Sequence, residues 1–208
     1  GRRIAFLPRH GRGHRLAPTE VNYRANIWAL KSLGVEQIIS ISACGSMKEK
    51  YQARHVVIPD QIYDNTKHRT YSFFGDGLVA HLSFAEPFCP HLRGLVAGAV
   101  RKAGGTVHEG GTFITIEGPR FSTRGESLIY RSWGVDIIGM TAVPEAQLAR
   151  EAEICYATLA HVTDYDVWHE EEEAVNVEML IANLMANAAL TKRSIAELVP
   201  MLGDERPC

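Results

Sequence analysis

Two acids stand one residue apart in the run Thr163-Asp164-Tyr165-Asp166. If residue 165 leads into a turn, both carboxylates face one pocket. They then suit a ligand edge with adjacent donors, such as N–H and N–H₂ on a nitrogen heterocycle. Crowding would raise one of the two pKa values and favour a general acid. The plainer reading is an Asx-turn or a solvated acidic loop. Arg9 and His10 set a fixed cation beside a titratable one. That pairing suits an oxyanion such as phosphate, and the alternative is a surface Arg in an ordinary ion pair. Ser42, Ala43 and Thr141 could add hydroxyl and backbone N–H donors to the same anion, or serve plain turn chemistry. Glu117 and Arg120 bracket Gly118-Pro119. The acid could hold a sugar hydroxyl, or the two could form a structural pair.

Other groups are weaker. His10 and His14 have metal-ligand residue types, but two glycines separate them, so they do not form a rigid helical pair. Asp164, Asp166 and His169 have no matching cluster elsewhere. No metal is expected. Cys44 has no identifiable base beside it and reads as a buried small residue. Glu170–Glu173 reads as a solvated face.

Elements that alternate along the chain must position these residues. Residues 4–8 form an apolar run ended by Pro8 and read as a buried strand. Residues 19–33 place Val21, Ala25, Trp28, Ala29 and Leu33 at helical spacing, with Gly34 as the stop. Strands are expected over 35–42, 55–62, 106–116, 135–140 and 154–163. Residues 63–90 read as a long irregular region. A helix is expected over 91–103, closed by Gly104-Gly105. A second should follow the capping box at Thr123–Glu126 and run to Trp133, and a third should start at Pro144. The last long helix begins near Asn176. Its apolar stripe would run through Val177, Leu180, Ile181, Leu184, Ala188, Ile195 and Leu198. Strands and helices in alternation make an α/β sheet with helices on both faces. Every polar cluster falls just past an expected strand end, where open α/β sheets bind ligands.

The chain has 208 residues, 46% hydrophobic and 22% charged. These figures exclude a disordered chain, a collagen and a coiled coil. No linker appears, so one domain over 1–208 is expected. A net charge of −2 invites neither nucleic acid nor an anionic membrane. No apolar run reaches about 18 residues, so no membrane span is indicated. Four cysteines without a CxxC pair suggest reduced thiols and a cytoplasmic location. Gly1-Arg2-Arg3 runs straight into an apolar segment without an initiator Met, as in a fragment.

Several stretches together resemble the purine nucleoside phosphorylase family, most closely its methylthioadenosine phosphorylase branch. They are Pro8-Arg9-His10-Gly11-Arg12, the run from Val21 to Leu30, Ser42-Ala43-Cys44-Gly45-Ser46, Ala85-Glu86-Pro87-Phe88-Cys89-Pro90, Thr115–Ser122, Met140-Thr141, and Thr163–Asp166 with Trp168. The resemblance implies a single-domain mixed sheet flanked by helices. It implies reversible phosphorolysis of an N-glycosidic bond, with purine nucleoside and inorganic phosphate as partners and no cofactor. By the same resemblance Arg9, His10, Ser42, Ala43 and Thr141 are phosphate ligands. Met140 lies under the ribose, and Phe121 and Ser122 wall the base and ribose. Asp164 serves the purine N7 and Asp166 the exocyclic amine, the two acids acting in catalysis. Val177 meets the 5′ substituent. His81 is lent across a subunit interface of a homotrimer. A carboxylate accepts from a 6-amino group and repels a 6-oxo group, so the implied substrate is 5′-methylthioadenosine. A 6-oxopurine or methylthioinosine phosphorylase and a non-catalytic nucleoside-binding relative are the alternatives. The family opens with a strand and a Gly-rich phosphate loop, and the expectation is a chain that lacks them.

Overall fold

The computed structural model describes residues 2–169 and 177–203, without the side chains of Val177, Met179 and Leu180. The charge run Glu170–Glu173, the helix start near Asn176, the contact expected of Val177 and the last cysteine, Cys208, lie outside the described residues.

In chain order the elements are α1 (Tyr23–Ser32), β1 (Gln37–Ser46), β2 (Val56–Ile58), β3 (Gln61–Asn65), α2 (Pro90–Lys102), β4 (Val107–Glu109), β5 (Thr112–Ile116), α3 (Arg124–Ser132), β6 (Ile137–Gly139), α4 (Ala142–Glu151), β7 (Cys155–Tyr165) and α5 (Val177–Leu198). The strands form one mixed sheet in the order β3-β5-β6-β1-β7-β2-β4. β1 runs parallel to β7 along its whole length but meets β6 antiparallel at only two positions, Gly45↔Ile138 and Ser46↔Ile137.

Side chains of β7 alternate between two cores, as the two-residue period of a strand requires. Cys155, Ala157 and Leu159 pack with Leu92, Val96 and Val100 of α2 and Leu190 and Leu198 of α5. Tyr156, with the preceding Ile154, packs with Tyr23, Ile27 and Leu30 of α1 and Ala146, Leu148 and Ala149 of α4. Helices therefore cover both faces, as the alternation of elements implies. The capping box at Thr123 and Glu126 is formed in both directions. Helical dihedrals of α4 resume after an extended Val143, so Pro144 opens the helix as expected.

Several expectations need correction. Residues 4–8 are not a strand: Ile4, Phe6 and Leu7 are exposed, and no described strand takes their backbone bonds. An apolar run becomes a strand only beside a neighbour that satisfies its N–H and C=O groups. The strand expected over 55–62 is two, because Pro59-Asp60 turns the chain from the β4 side of the sheet to β5. The strand expected over 106–116 is also two. Gly110 and Gly111, at φ +83° and +113°, make a turn that favours glycine. The irregular region expected from residue 63 begins only after β3. The buried face of α1 is Tyr23, Ile27 and Leu30, while Trp28 and Leu33 are exposed. In α5, Leu198 of the expected stripe is buried, but Ile181 and Leu184 are exposed, and Asn183, Asn187, Leu190 and Ser194 are buried instead. Cys44 and Cys89 are free and buried, but Cys155 is disulfide-bonded, contrary to the expected reduced thiols.

Candidate active site

Polar groups gather where β6 crosses the end of β1, and their order follows β1. At one end lie the two acids. Asp164 pairs in register with Gly45, and the Asp166 N–H donates to Ser46 O at 3.0 Å. A side chain at Gly45 would stand 3.0 Å from Ile138 of β6 and in ordinary contact, 3.5 Å, with Asp166 Cβ, so glycine lets β6 lie this close. Asp166 is buried, and its Oδ2 has no hydrogen-bond partner. Burial raises its pKa, against the Ser127 hydroxyl and the Val167 N–H, with a smaller push from Glu126. The crowding expected between the two acids is therefore not the cause: desolvation is. Asp164 is half-buried and accepts from the Thr163 hydroxyl.

Two residues back along β1, Gly139 at the end of β6 lies against Ala43 O and the Phe113 ring. Met140 follows and packs its sulfur toward Gly118, which Pro18 also borders. Ser122 is buried with an unpartnered Oγ, while Phe121 of the same expected wall is 75% exposed.

At the far end lies Arg9. Its fork is bidentate on Glu145, with Nε and NH2 each 2.8 Å from a carboxylate oxygen. NH2 also donates to Ser40 Oγ at 2.6 Å, and NH1 to Ile41 O at 3.3 Å and Thr141 Oγ1 at 3.5 Å. Burial alone would lower the Arg9 pKa; Glu145 outweighs it and holds the guanidinium firmly charged. Ser42 is buried with an unpartnered Oγ, whereas Ala43 is exposed. Thr141 precedes α4 without a side-chain capping bond, and its hydroxyl faces the Arg9 guanidinium. His10 Nδ1 lies 2.9 Å from Leu16 O, and its ring stacks on His14 at 4.2 Å. Burial lowers its pKa, and His14 and Arg9 add to that against the Leu16 carbonyl.

From Gly45 to Ile41 is four residues, about 13 Å at roughly 3.3 Å per strand residue. That span takes a base, a five-membered sugar and a tetrahedral anion end to end. Glu117 and Arg120 do not pair with each other. Glu117 faces Arg69 at 3.7 Å and accepts from the Lys67 N–H, while Arg120 pairs with Glu126 at 2.7 Å. His81 is exposed in the stretch between β3 and α2. Among the described residues, no group of three or more His, Cys, Asp or Glu is placed to hold a metal.

The family described as the phosphorylase superfamily matches residues 1–199. The chain belongs to that superfamily. Within it, a S-methyl-5'-thioadenosine phosphorylase of Geobacter sulfurreducens is 56% identical over 209 aligned residues, covering all of this chain and 73% of the relative. The same-named protein of Hyperthermus butylicus is 53% identical, covering 99% and 74%. A methylthioadenosine phosphorylase from an antarctic soil metagenomic library has a solved structure that superposes with TM-score 0.94 at 52% identity, covering 98% of this chain and 72% of that one. Methylthioadenosine phosphorylase from Schistosoma mansoni, solved in complex with adenine, superposes with TM-score 0.90 at 41% identity, covering 96% and 76%.

Sequence reasoning missed Glu145 and Ser40, which hold Arg9, and Ser127, which faces Asp166. An acid in the first turn of a helix reads as a complement to the helix dipole, and that hid Glu145. Thr163 was visible only as part of a motif.

Proposed function

We infer that this chain catalyses reversible phosphorolysis of 5′-methylthioadenosine, giving adenine and 5-methylthioribose 1-phosphate. One observation carries the reading: an acceptor-rich acidic pair at the end of β1 and a braced arginine at its middle stand a nucleoside's length apart. Relatives more than 50% identical over the whole chain carry the same activity in their names.

In this reading Arg9, His10, Ser42, the backbone at Ala43, and Thr141 hold phosphate below C1′ of the ribose. Met140 underlies the sugar, and Ser122, with Phe121 at the open rim, borders sugar and base. Phosphate attacks C1′ as the C–N bond breaks, positive charge grows on the sugar, and the anion beneath it lowers the barrier. Negative charge grows on the leaving base, and Asp164 serves N7 with a proton or hydrogen bond. Asp166 accepts from the 6-amino group through Oδ2, which offsets the burial that otherwise disfavours its charge. Val177 meets the 5′ substituent, and His81 reaches the 5′ pocket of a neighbouring copy in a homotrimer. No cofactor is assigned, phosphate is the co-substrate, and the setting is cytoplasmic.

The test is phosphate-dependent release of adenine from methylthioadenosine, run beside inosine and methylthioinosine. Adenine release that requires phosphate supports the reading. Faster cleavage of either oxopurine nucleoside overturns the specificity, and binding without cleavage overturns the reaction. Elution as a monomer in size-exclusion chromatography with light scattering overturns the trimer.

A further inference from the structure

Just before it reaches Asp164, strand β7 loses its β2 neighbour and shifts register against β1. Toward β2 the pairing ends at His161, opposite Val56. Toward β1 the ladder slips: Cys44 faces Val162 and Gly45 faces Asp164, so Thr163 is the extra residue of a bulge. Bulges re-aim the side chains that follow them, and something must hold the groups they leave unpaired.

Helix α5 does this with a polar ridge that is buried at Asn183, Asn187 and Ser194 and half-buried at Thr191. Asn183, Asn187, Thr191 and Ser194 recur at steps of four, four and three, which puts them on one face. Thr191 Oγ1 meets His161 Nε2, Asn187 Nδ2 donates to Val162 O at 3.4 Å, and Asn183 Nδ2 donates to Thr163 O at 3.1 Å. Successive rungs of the helix thus grip successive residues of the strand, ending at the bulge. Arg54 locks the last rung. Its backbone N–H donates to Val162 O at 2.9 Å, and its Nε donates to Asn183 Oδ1 at 2.9 Å. Arg54 keeps this position at φ +71°, a region unfavourable to a residue with a side chain. Thr163 passes the constraint on, for its single hydroxyl hydrogen has two acceptors, Cys44 O at 3.2 Å and the Asp164 carboxylate.

We infer that Asn183 is a positioning residue, whose amide, clamped by Arg54, holds the Thr163 bulge and thereby aims the Asp164 carboxylate. The inference rests on the reading of Asp164 as the group that serves the leaving base. It is chemically specific. The Asn183 oxygen is taken by Arg54 and its NH₂ by Thr163 O, so an isosteric aspartate keeps the first partner and sets a carboxylate against a carbonyl at the second.

The test compares Asn183→Asp and Asn183→Ala with the wild type in methylthioadenosine phosphorolysis, thermal melting and amide hydrogen exchange. The expected result is a fall in kcat on the order of ten-fold or more in both variants, at least as large for aspartate as for alanine. The phosphate KM should stay within about twofold, since Arg9 and Thr141 lie at the other end of the site. Exchange at residues 163–165 should quicken in both. Aspartate kcat within about twofold of wild type overturns the inference, as does a loss shared equally by kcat, phosphate KM and melting temperature. Wild-type chain that releases no adenine refutes the functional reading instead. Exchange at 163–165 then decides: unchanged exchange overturns the brace, and quickened exchange upholds it.

Discussion

Glu145→Gln removes the negative half of a pair almost sealed from water. Side-chain exposure is 14% for Arg9 and 6% for Glu145. The glutamine keeps one oxygen for the guanidinium but turns an NH₂ toward N–H donors. Breaking a buried ion pair by neutralising one partner costs about 3–5 kcal/mol. Ser40 Oγ and Ile41 O remain as acceptors for Arg9, so the lower end, about 3 kcal/mol, applies here. Each kcal/mol moves the melting temperature of a chain this long by about 2–4 °C, so the variant should melt about 6–12 °C lower. Inorganic phosphate offers the lost negative charge back to Arg9. Added phosphate should therefore raise the melting temperature of the variant by more than that of the wild type. Differential scanning fluorimetry over a phosphate series reads both effects. A variant that melts within about 1 °C of wild type would refute the claim that Glu145 neutralises Arg9. Equal phosphate stabilisation of both proteins would remove Arg9 from the anion site.

Asp164→Asn should lower kcat/KM for methylthioadenosine on the order of 10²–10³-fold with little change in melting temperature, because the side chain is half-buried at a strand end; wild-type turnover in that variant would take Asp164 out of the mechanism. His161 is buried against α5, and burial lowers its pKa to about 4 from the ordinary 6.5. The unfolded chain thus binds more protons in this window, so the stability from a neutral His161 is complete above about pH 6.5 and drains away toward pH 4, by about 3 kcal/mol in all. Urea melts of wild type and His161→Gln across that range should diverge in slope, and parallel slopes would count against it. Gly139→Ala would push a methyl to 2.7 Å from the buried Phe113 ring. It should cost about 1–3 kcal/mol and raise the nucleoside KM by displacing Met140; an unchanged melting curve would show that Phe113 can yield.

The sheet and its two helical covers were legible because β1 and β7 carry β-branched and apolar runs, and because Thr123, Glu126 and Gly104-Gly105 mark helix ends by chemistry that acts locally. What escaped depended on partners distant in sequence. Ile4 to Leu7 have a strand's composition without a strand's neighbour. Trp28 and Leu33 occupy helical spacing as regular as that of Ile27 and Leu30, and only packing against α4 decides which face is buried. In α5 the pattern misled at Ile181 and Leu184, because backbone carbonyls at the Thr163 bulge attract amides where an apolar ridge is the ordinary choice. The acidic pair, Thr141 and the Arg9–His10 step stood out in the sequence, since charged and polar residues at strand ends are conspicuous. Glu145, 136 positions from Arg9, did not.

The linear arrangement of stations on β1 also bears on how such a site can change over time. Substitutions at positions farther apart than about 7–10 Å combine without interfering. On the proposed reading, the end assigned to the purine and the end assigned to the anion can therefore drift under separate selection, each tolerating replacements that the other never registers.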